Sequence, residues 1–242
     1  MEIRDRSSPN HGPRRGVARP DMVVLHYTAM ATAEAALDRL CDPAAEVSAH
    51  YLIGPTGEVW RLVAETERAW HAGAGSWGGV RDVNSHSIGI ELANPGPLDD
   101  NPPFPEAQMA ALEALLDGVL ARWSIPPSRV IGHSDMAPGR KVDPGRKFDW
   151  RRLALGGRAT WPAAPVPVSG RADARAFRAA LVAIGYPAEA EAAVLLAAFR
   201  ARFRPTARGA LVAGEVALAE AVAAAQPCAD GPPEVDRSAV SL

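Results

Sequence analysis

The stretch of sequence most suggestive of chemistry is the loop from Gly132 to Gly145. It carries an imidazole, an ammonium and a carboxylate, from His133, Lys141 and Asp143, and glycines and prolines break it repeatedly. The apolar residues just before it are typical of the end of a buried strand. A histidine at a strand end, with a carboxylate returned to it by a tight loop, is suited to metal-assisted hydrolysis.

A second histidine, His26, ends another short apolar run. Together with His133 and Asp143 it makes a set of two imidazoles and one carboxylate. Such a set leaves a fourth tetrahedral position for water, which is the pattern of a catalytic rather than a structural zinc site. A single histidine at a strand end is more often a satisfied core residue, but the whole set beside Lys141 weakens that alternative.

Glu91 is the candidate general base, because it lies in an otherwise apolar run, Ser87 to Leu92. Burial of a carboxylate raises its pKa, and a base that works near neutral pH needs such a shift. The alternative is an edge-strand glutamate that faces solvent.

Lys141 lies two residues before Asp143, so in extended chain the two side chains point the same way. Its ammonium could then stabilise the oxyanion of a tetrahedral intermediate. The alternative is a solvated loop lysine.

The elements that position these residues form an α/β pattern. The apolar stripe from Glu106 to Trp123 predicts a long helix, and Thr32 is a candidate cap for a shorter one. A turn rich in glycine and proline, Gly54 to Gly57, predicts a hairpin. The predicted strands are residues 22–27, 48–53, 58–63, 87–92 and 128–133, and residues 1–20 are predicted to be irregular.

The composition changes near residue 159. We predict a catalytic domain over 1–158, a Pro/Ala linker over 159–169, a helical domain over 170–226 and a tail over 227–242. Three short apolar stripes in the helical region predict a small three-helix bundle.

Bulk properties exclude several functions. The chain has 242 residues and a formal net charge of −2, which argues against a general nucleic-acid binder. Neither of its two cysteines, Cys41 and Cys228, lies in a Cys-x-x-Cys pair, so we expect neither a disulfide framework nor a thiolate zinc cage. The N-terminus lacks the apolar core of a signal peptide, and no apolar run is long enough to span a bilayer. We therefore expect a cytoplasmic protein, unless another route releases it. We also expect a monomer, because no pattern indicates an obligate assembly.

Five motifs follow one another along the chain, at residues 24–28, 47–53, 69–73, 87–92 and 132–145. In this order they resemble one known family, the zinc-dependent N-acetylmuramoyl-L-alanine amidases of the Amidase_2 group (AmiD/AmpD-like). That group is related to the peptidoglycan recognition proteins, and the resemblance extends roughly from residue 8 to residue 153.

The resemblance implies a central mixed β-sheet flanked by helices, with a zinc ion in a surface groove. It implies that His26, His133 and Asp143 bind the zinc, that Glu91 is the base and that Lys141 stabilises the transition state. The family cleaves the amide between N-acetylmuramic acid and L-alanine of the stem peptide.

Three further residues are implied to line the groove and bind substrate: His50, His71 and Asn94. His50 has a structural alternative, and Asn94 has the alternative of starting the turn at Pro95. The C-terminal bundle resembles a peptidoglycan-binding module, with a bundle that binds no ligand as the alternative.

The rival function is a recognition protein that binds muropeptides without cutting them. The presence of Asp143, Glu91 and Lys141 together favours the enzyme. The substrate stays open between polymeric peptidoglycan, favoured by the linker and bundle, and soluble muropeptides such as 1,6-anhydro forms, favoured by the absent signal.

Overall fold

A six-stranded mixed sheet forms the centre of the protein. The computed structural model describes residues 2–162 and 169–225. The strand order is β1-β5-β4-β7-β3-β8, in which β4 and β5 are antiparallel and the other neighbours are parallel. The strands of this sheet are β1 (Ile3–Asp5), β3 (Met22–Tyr27), β4 (Tyr51–Ile53), β5 (Val59–Arg61), β7 (Ser87–Leu92) and β8 (Val130–Gly132), while β2 (His11–Pro13) and β6 (Glu67–Ala69) form a separate antiparallel pair.

Helices cover both faces of the sheet. No helix in the described ranges is long and apolar enough to cross a membrane. The helices are α1 (Ala33–Cys41), α2 (Val83–His86), α3 (Glu106–Trp123), α4 (His133–Met136), α5 (Trp150–Leu155), α6 (Ala174–Ile184), α7 (Ala192–Phe203) and α8 (Ala213–Ala225). Short 3-10 turns occupy Pro43–Ala45, Gly96–Asp99 and Pro127–Arg129.

Strongly periodic segments fold as the sequence predicts. β3, β7 and α3 have the predicted bounds, and the Thr32 side chain caps α1 by accepting a hydrogen bond from the Ala35 amide. The hairpin forms with shorter strands than expected, and the last strand begins only at Val130 because a 3-10 turn precedes it.

The prediction of an irregular N-terminus is wrong. Residues 3–5 pair with β5 at the sheet edge, and residues 11–13 pair with β6. Both strands are three residues long and mostly exposed, so they lack the apolar alternation that marks a half-buried strand. Their partners lie more than 50 positions away, where no local pattern reveals them.

Alternation along β3 and β7 divides the core into two layers. Val23, Leu25, Ile88 and Ile90 face the side packed by α3. Met22 and Val24 face the opposite side, where they join a core that includes Phe177, Leu181 and Phe199 of the C-terminal helices. The three predicted C-terminal helices are therefore present, and they share one core with this face of the sheet.

The domain boundaries at 158, 169 and 226 stay predictions, as do glycan binding by the bundle and the monomeric state. Residues 163–168 of the predicted linker, the predicted tail 227–242 and Cys228 lie outside the described residues.

Candidate metal centre and active site

The strand register brings the candidate residues to one edge of the sheet. β3 runs parallel to β8 with Leu25 opposite Gly132. His26 and His133 are the next residues after each of these, so they lie side by side. β3 also runs parallel to β7, with His26 opposite Glu91. Ligand sites of open α/β sheets lie at these carboxyl ends of the strands.

His26, His133 and Asp143 form a buried cluster that is able to hold a metal ion. The Nδ1 atoms of the two histidines are 2.9 Å apart, and Asp143 Oδ2 lies 3.0 Å from His26 Nδ1 and 3.1 Å from His133 Nδ1. Ligand atoms about 2.0–2.1 Å from a tetrahedral zinc lie about 3.3 Å from one another. The spacing and the chemistry of the three donors therefore fit such an ion.

The protonation states also suit a cation. Burial and the nearby His133 lower the pKa of His26 to about 4, so its ring is neutral at pH 7. Burial alone would raise the pKa of Asp143, but the close His133 and His26 imidazoles outweigh it and hold that pKa well below its usual range. A neutral imidazole and an ionised carboxylate are the forms that bind a metal.

The outer nitrogen of His133 faces a carbonyl. Nε2 lies 2.8 Å from Ala72 O, which can only accept, so Nε2 carries the proton and donates. Nδ1 therefore presents its lone pair to the cluster.

The orientation of His26 is set by a longer chain of hydrogen bonds. Ser87 Oγ donates to Val83 O at 2.6 Å, so it accepts from His71 Nε2 at 3.1 Å. His71 Nδ1 is then the acceptor for His26 Nε2–H at 3.0 Å. This arrangement leaves the lone pair of His26 Nδ1 directed at the cluster.

Gly89 makes room for that chain. A Cβ atom at Gly89 would lie 2.4 Å from Cγ of His71, so any other residue would displace the ring. Ser87, Gly89 and Glu91 alternate with Ile88 and Ile90 along β7. On the polar face of β7, Ser87 thus binds the His71 ring and Gly89 leaves room for it. Glu91 supplies the acidic group.

Glu91 is half-buried beside the cluster. Its Oε2 atom is buried and has no hydrogen-bond partner among the residues that the structure describes. Burial raises the pKa of Glu91 to about 8, with a further contribution from the negative charge of Asp143, and Lys141 opposes both. Lys141 itself is exposed at the rim of the site.

A cavity of about 360 Å³ opens over the cluster. It brings together six of the eight predicted site residues, and Trp70 and Tyr27 add aromatic surface to its wall. The six are His26, His71, Glu91, His133, Lys141 and Asp143.

The structure does not bring His50 to this cavity, so the expectation that it lines the groove needs correction. The side chain is 0% exposed. Its Nδ1 accepts from the Gly89 amide at 2.9 Å, and its Nε2 faces Glu67 O at 3.1 Å. His50 ties β4 to β7, which is the structural alternative named above.

Asn94 is likewise absent from the cavity wall. Its side-chain oxygen accepts from the Gly96 amide at 2.8 Å, and its Nδ2 donates to Pro102 O at 3.0 Å. Because both ends of the amide bond this segment, Asn94 fixes the turn that follows Pro95, which is the alternative named above.

Arg140 is a neighbour of the site that the sequence reasoning missed. Its guanidinium donates to Ala72 O at 2.6 Å and also bonds Ala74 O, which joins the His133 loop to the His71 loop. Its position next to Lys141 was the available signal. Arg140 also shares the Ala72 carbonyl with His133.

Asp135, two residues after His133, joins the segment from Gly132 to Gly145 to the C-terminal helices. Its carboxylate accepts from the Gly132 amide at 2.8 Å, from Tyr186 Oη at 2.7 Å and from Arg202 Nη1 at 2.7 Å. Asp135 is 1% exposed and Arg202 is 5% exposed. Elements on both sides of the predicted linker therefore hold the backbone that carries His133.

Comparisons with known proteins agree with this geometry. Residues 16–146 match the family Amidase_2, described as N-acetylmuramoyl-L-alanine amidase. The chain is 37% identical over 213 residues to N-acetylmuramoyl-L-alanine amidase AmiD of Escherichia coli K12, covering 78% of this chain and 76% of that protein. It is 34% identical to 1,6-anhydro-N-acetylmuramyl-L-alanine amidase AmpD of Enterobacter cloacae, covering 63% of this chain and 89% of that protein.

A solved structure of AmiD from E. coli, in complex with the substrate anhydro-N-acetylmuramic acid-L-Ala-D-γ-Glu-L-Lys, superimposes with a TM-score of 0.76. The two chains are 33% identical, and the match covers 91% of this chain and 93% of that one. The fold and site define an amidase with a mixed α/β architecture. The chain belongs to the Amidase_2 family of N-acetylmuramoyl-L-alanine amidases.

Proposed function

We propose that this protein is a zinc-dependent hydrolase of the amide between N-acetylmuramic acid, including its 1,6-anhydro form, and L-alanine of the stem peptide. The observation that carries the proposal is the buried cluster of two imidazole nitrogens and one carboxylate oxygen, with mutual distances of 2.9–3.1 Å, in a cavity that also contains Glu91. The amidase relatives and the substrate complex of AmiD support the choice of bond.

His26, His133 and Asp143 would hold the zinc, which supplies Lewis acidity to the scissile carbonyl and to a water molecule. Glu91 accepts the proton of that water at Oε2, the atom without a partner, and delivers it to the leaving amine. Burial raises the pKa of Glu91, which favours the return of the proton to the amine. The Lys141 ammonium stabilises the oxyanion of the tetrahedral intermediate.

The test is hydrolysis of an anhydro-N-acetylmuramyl peptide by the purified full-length protein. We expect two products, the anhydro sugar acid and the free peptide, in mass spectrometry. Chelation should abolish the reaction, and stoichiometric zinc should restore it and raise the melting temperature, since an ion at about 100 times its Kd stabilises by about 2.7 kcal/mol. Activity that survives complete removal of metal contradicts the proposal, and binding without cleavage by the zinc-loaded protein favours the recognition function.

His71→Ala is expected to weaken zinc binding by about 10–100-fold, the usual effect of removing a partner behind a metal-binding histidine. Without the acceptor at Nδ1, the His26 ring is free to rotate and to change tautomer. Chelator competition on the purified variant measures the affinity independently of activity. His71→Asn, which places an amide oxygen near the position of Nδ1, should recover part of the loss. Unchanged affinity in His71→Ala would show that the hydrogen-bond chain does not position His26.

A further inference from the structure

The N-terminal arm, residues 8–10, lies behind one wall of the metal cavity. Three segments contribute to this arm-side wall: residues 39–40 at the end of α1, residues 47–48 and residues 70–71. The arm is not part of the described lining of the cavity, yet its two polar residues are each only 3% exposed. Buried polar groups need hydrogen-bond partners, and the side chains of the arm find theirs in or next to the arm-side wall.

The Asn10 side chain closes the loop that follows α1. Its Nδ2 donates to Asp42 O at 2.8 Å and to Val47 O at 2.9 Å, so one amide group joins the two ends of this loop. Val47 packs against the apolar cluster that includes Leu40 of α1. A primary amide presents two N–H donors from one neutral nitrogen. The contact therefore specifies a short amide side chain, because the aspartate of the same shape would direct a carboxylate at two carbonyl oxygens.

Two buried hydroxyl groups extend this contact to the other wall segments. Ser48 Oγ donates to Asn10 O at 2.6 Å and accepts from the Trp70 amide at 2.9 Å. Ser8 Oγ donates to Leu40 O and accepts from the Asn10 amide at 3.2 Å. Because each hydroxyl both donates and accepts, the arm and the three segments of the arm-side wall form one continuous network.

The metal cluster has separate support. Asn84 Oδ1 accepts from the backbone amides of His71 at 3.0 Å and Ala72 at 2.8 Å. The His71 ring bonds Ser87 Oγ at 3.1 Å. None of these contacts involves the arm. A change in the arm is therefore expected to displace the arm-side wall without displacing the metal-binding side chains.

We propose that Asn10 is a positioning residue for the substrate: it sets the affinity of the cavity for the muropeptide and leaves zinc binding and the chemical step unaffected. Val47, Ser48 and Trp70 are the cavity residues that it holds directly or through the network. A binding wall needs such support behind it, because a small displacement of the wall weakens its contacts with a ligand. The proposal rests on the proposed function for the identity of the ligand.

The experiment measures equilibrium binding of anhydro-N-acetylmuramic acid-L-Ala-D-γ-Glu-L-Lys to the zinc-loaded full-length protein by calorimetry. A Glu91→Gln background keeps the ligand intact, and the temperature is well below the melting temperature of each variant. We expect Asn10→Ala in that background to raise the Kd about tenfold or more. Asn10→Asp should raise it as well, since two carbonyl acceptors then face a carboxylate.

Two further measurements separate positioning from a general loss of stability. Zinc affinity, from chelator competition, should be the same in both Asn10 variants as in their parent. In the enzyme that retains Glu91, Asn10→Ala should raise KM and leave kcat unchanged, which is the signature of lost binding that ground state and transition state share.

The matched control is Gln108→Ala. Gln108 is 0% exposed, and its Nε2 also donates to two backbone carbonyls, Ile53 O at 2.9 Å and Ala93 O at 3.0 Å. These three residues are outside the described lining of the cavity. The control should lower the melting temperature, as Asn10→Ala does, but leave the Kd for the muropeptide unchanged.

An unchanged Kd in both Asn10 variants, an equal rise in the Gln108→Ala control, or no detectable binding by the parent protein would each overturn the proposal. A loss of zinc affinity in parallel with the loss of muropeptide affinity would do so too, since the arm would then act on the metal site. A wild-type protein that binds the muropeptide without cleaving it, together with weaker binding by Asn10→Ala, would keep the positioning role and refute the proposed function.

Discussion

Glu91→Gln is expected to lower kcat on an anhydro-muropeptide by about 10²–10⁴-fold, the contribution typical of a positioned general acid–base. Glutamine has nearly the same shape, so the cavity keeps its geometry, but the amide cannot accept the proton. Zinc content should stay stoichiometric, since Glu91 is not part of the metal-binding cluster. The measurements are single-turnover kinetics and metal analysis on the same preparation.

Glu220→Gln provides the matched control, because Glu220 is an exposed glutamate on α8, and it should leave kcat unchanged. A Glu91→Gln enzyme with kcat within a few-fold of wild type would remove Glu91 from the mechanism. Loss of zinc together with activity would assign it a role in the metal site instead.

The same substitution has a consequence for stability in the metal-free protein. The pKa of Glu91 rises from about 4.5 to about 8 on folding, so between those values the folded chain binds more protons than the unfolded chain. Its contribution to stability is therefore fully present below pH 4.5 and is lost as the pH rises to 8. Glu91→Gln should gain stability over wild type progressively across that window, and denaturant titrations at several pH values measure the gain.

Arg202→Met is expected to destabilise the protein by about 3–5 kcal/mol, the usual cost of leaving one partner of a buried ion pair alone. Arg202 and Asp135 are 2.7 Å apart, with side chains only 4% and 1% exposed. The guanidinium also donates to Val130 O at 3.1 Å and lies 4.2 Å from the ring centre of Trp150, so the loss includes a strand contact. Urea denaturation measures the change.

The control is Arg6→Met, which removes a surface pair with Asp38 whose side chains are 44% and 73% exposed. It should cost less than about 1 kcal/mol. The double variant Arg202→Met with Asp135→Asn should be less unstable than the sum of the single variants, because no unpaired charge remains. A loss below about 1 kcal/mol in Arg202→Met would mean that the C-terminal helices do not anchor the segment from Gly132 to Gly145.

Local patterns in the sequence determined much of the framework. β3, β7 and α3 were predictable because each has a continuous or periodic apolar pattern over six or more residues. The strand-end position of His26 followed from β3, and that of His133 followed from the apolar run that forms β8. Parallel strands deliver their carboxyl ends to one edge, so the proximity of these two residues was also predictable.

The sequence did not determine which buried polar groups become partners. His50, His71 and Asn94 are polar residues within or just after a motif, and all three were expected to bind substrate. The fold then separated them, because His50 joins two strands and Asn94 closes a turn, while His71 faces both the cavity and His26. Such choices depend on side chains that meet only after the sheet has formed.

The contact between the segment that carries His133 and the C-terminal helices was also decided by the tertiary structure alone. Sequence composition indicated a linker and a separate bundle, yet Tyr186 and Arg202 bind Asp135 across 51 and 67 positions. Those contacts leave no periodic trace, since each is a single buried pair. The sequence by itself therefore determined which residues are available for metal chemistry, and long-range packing decided what holds them in place.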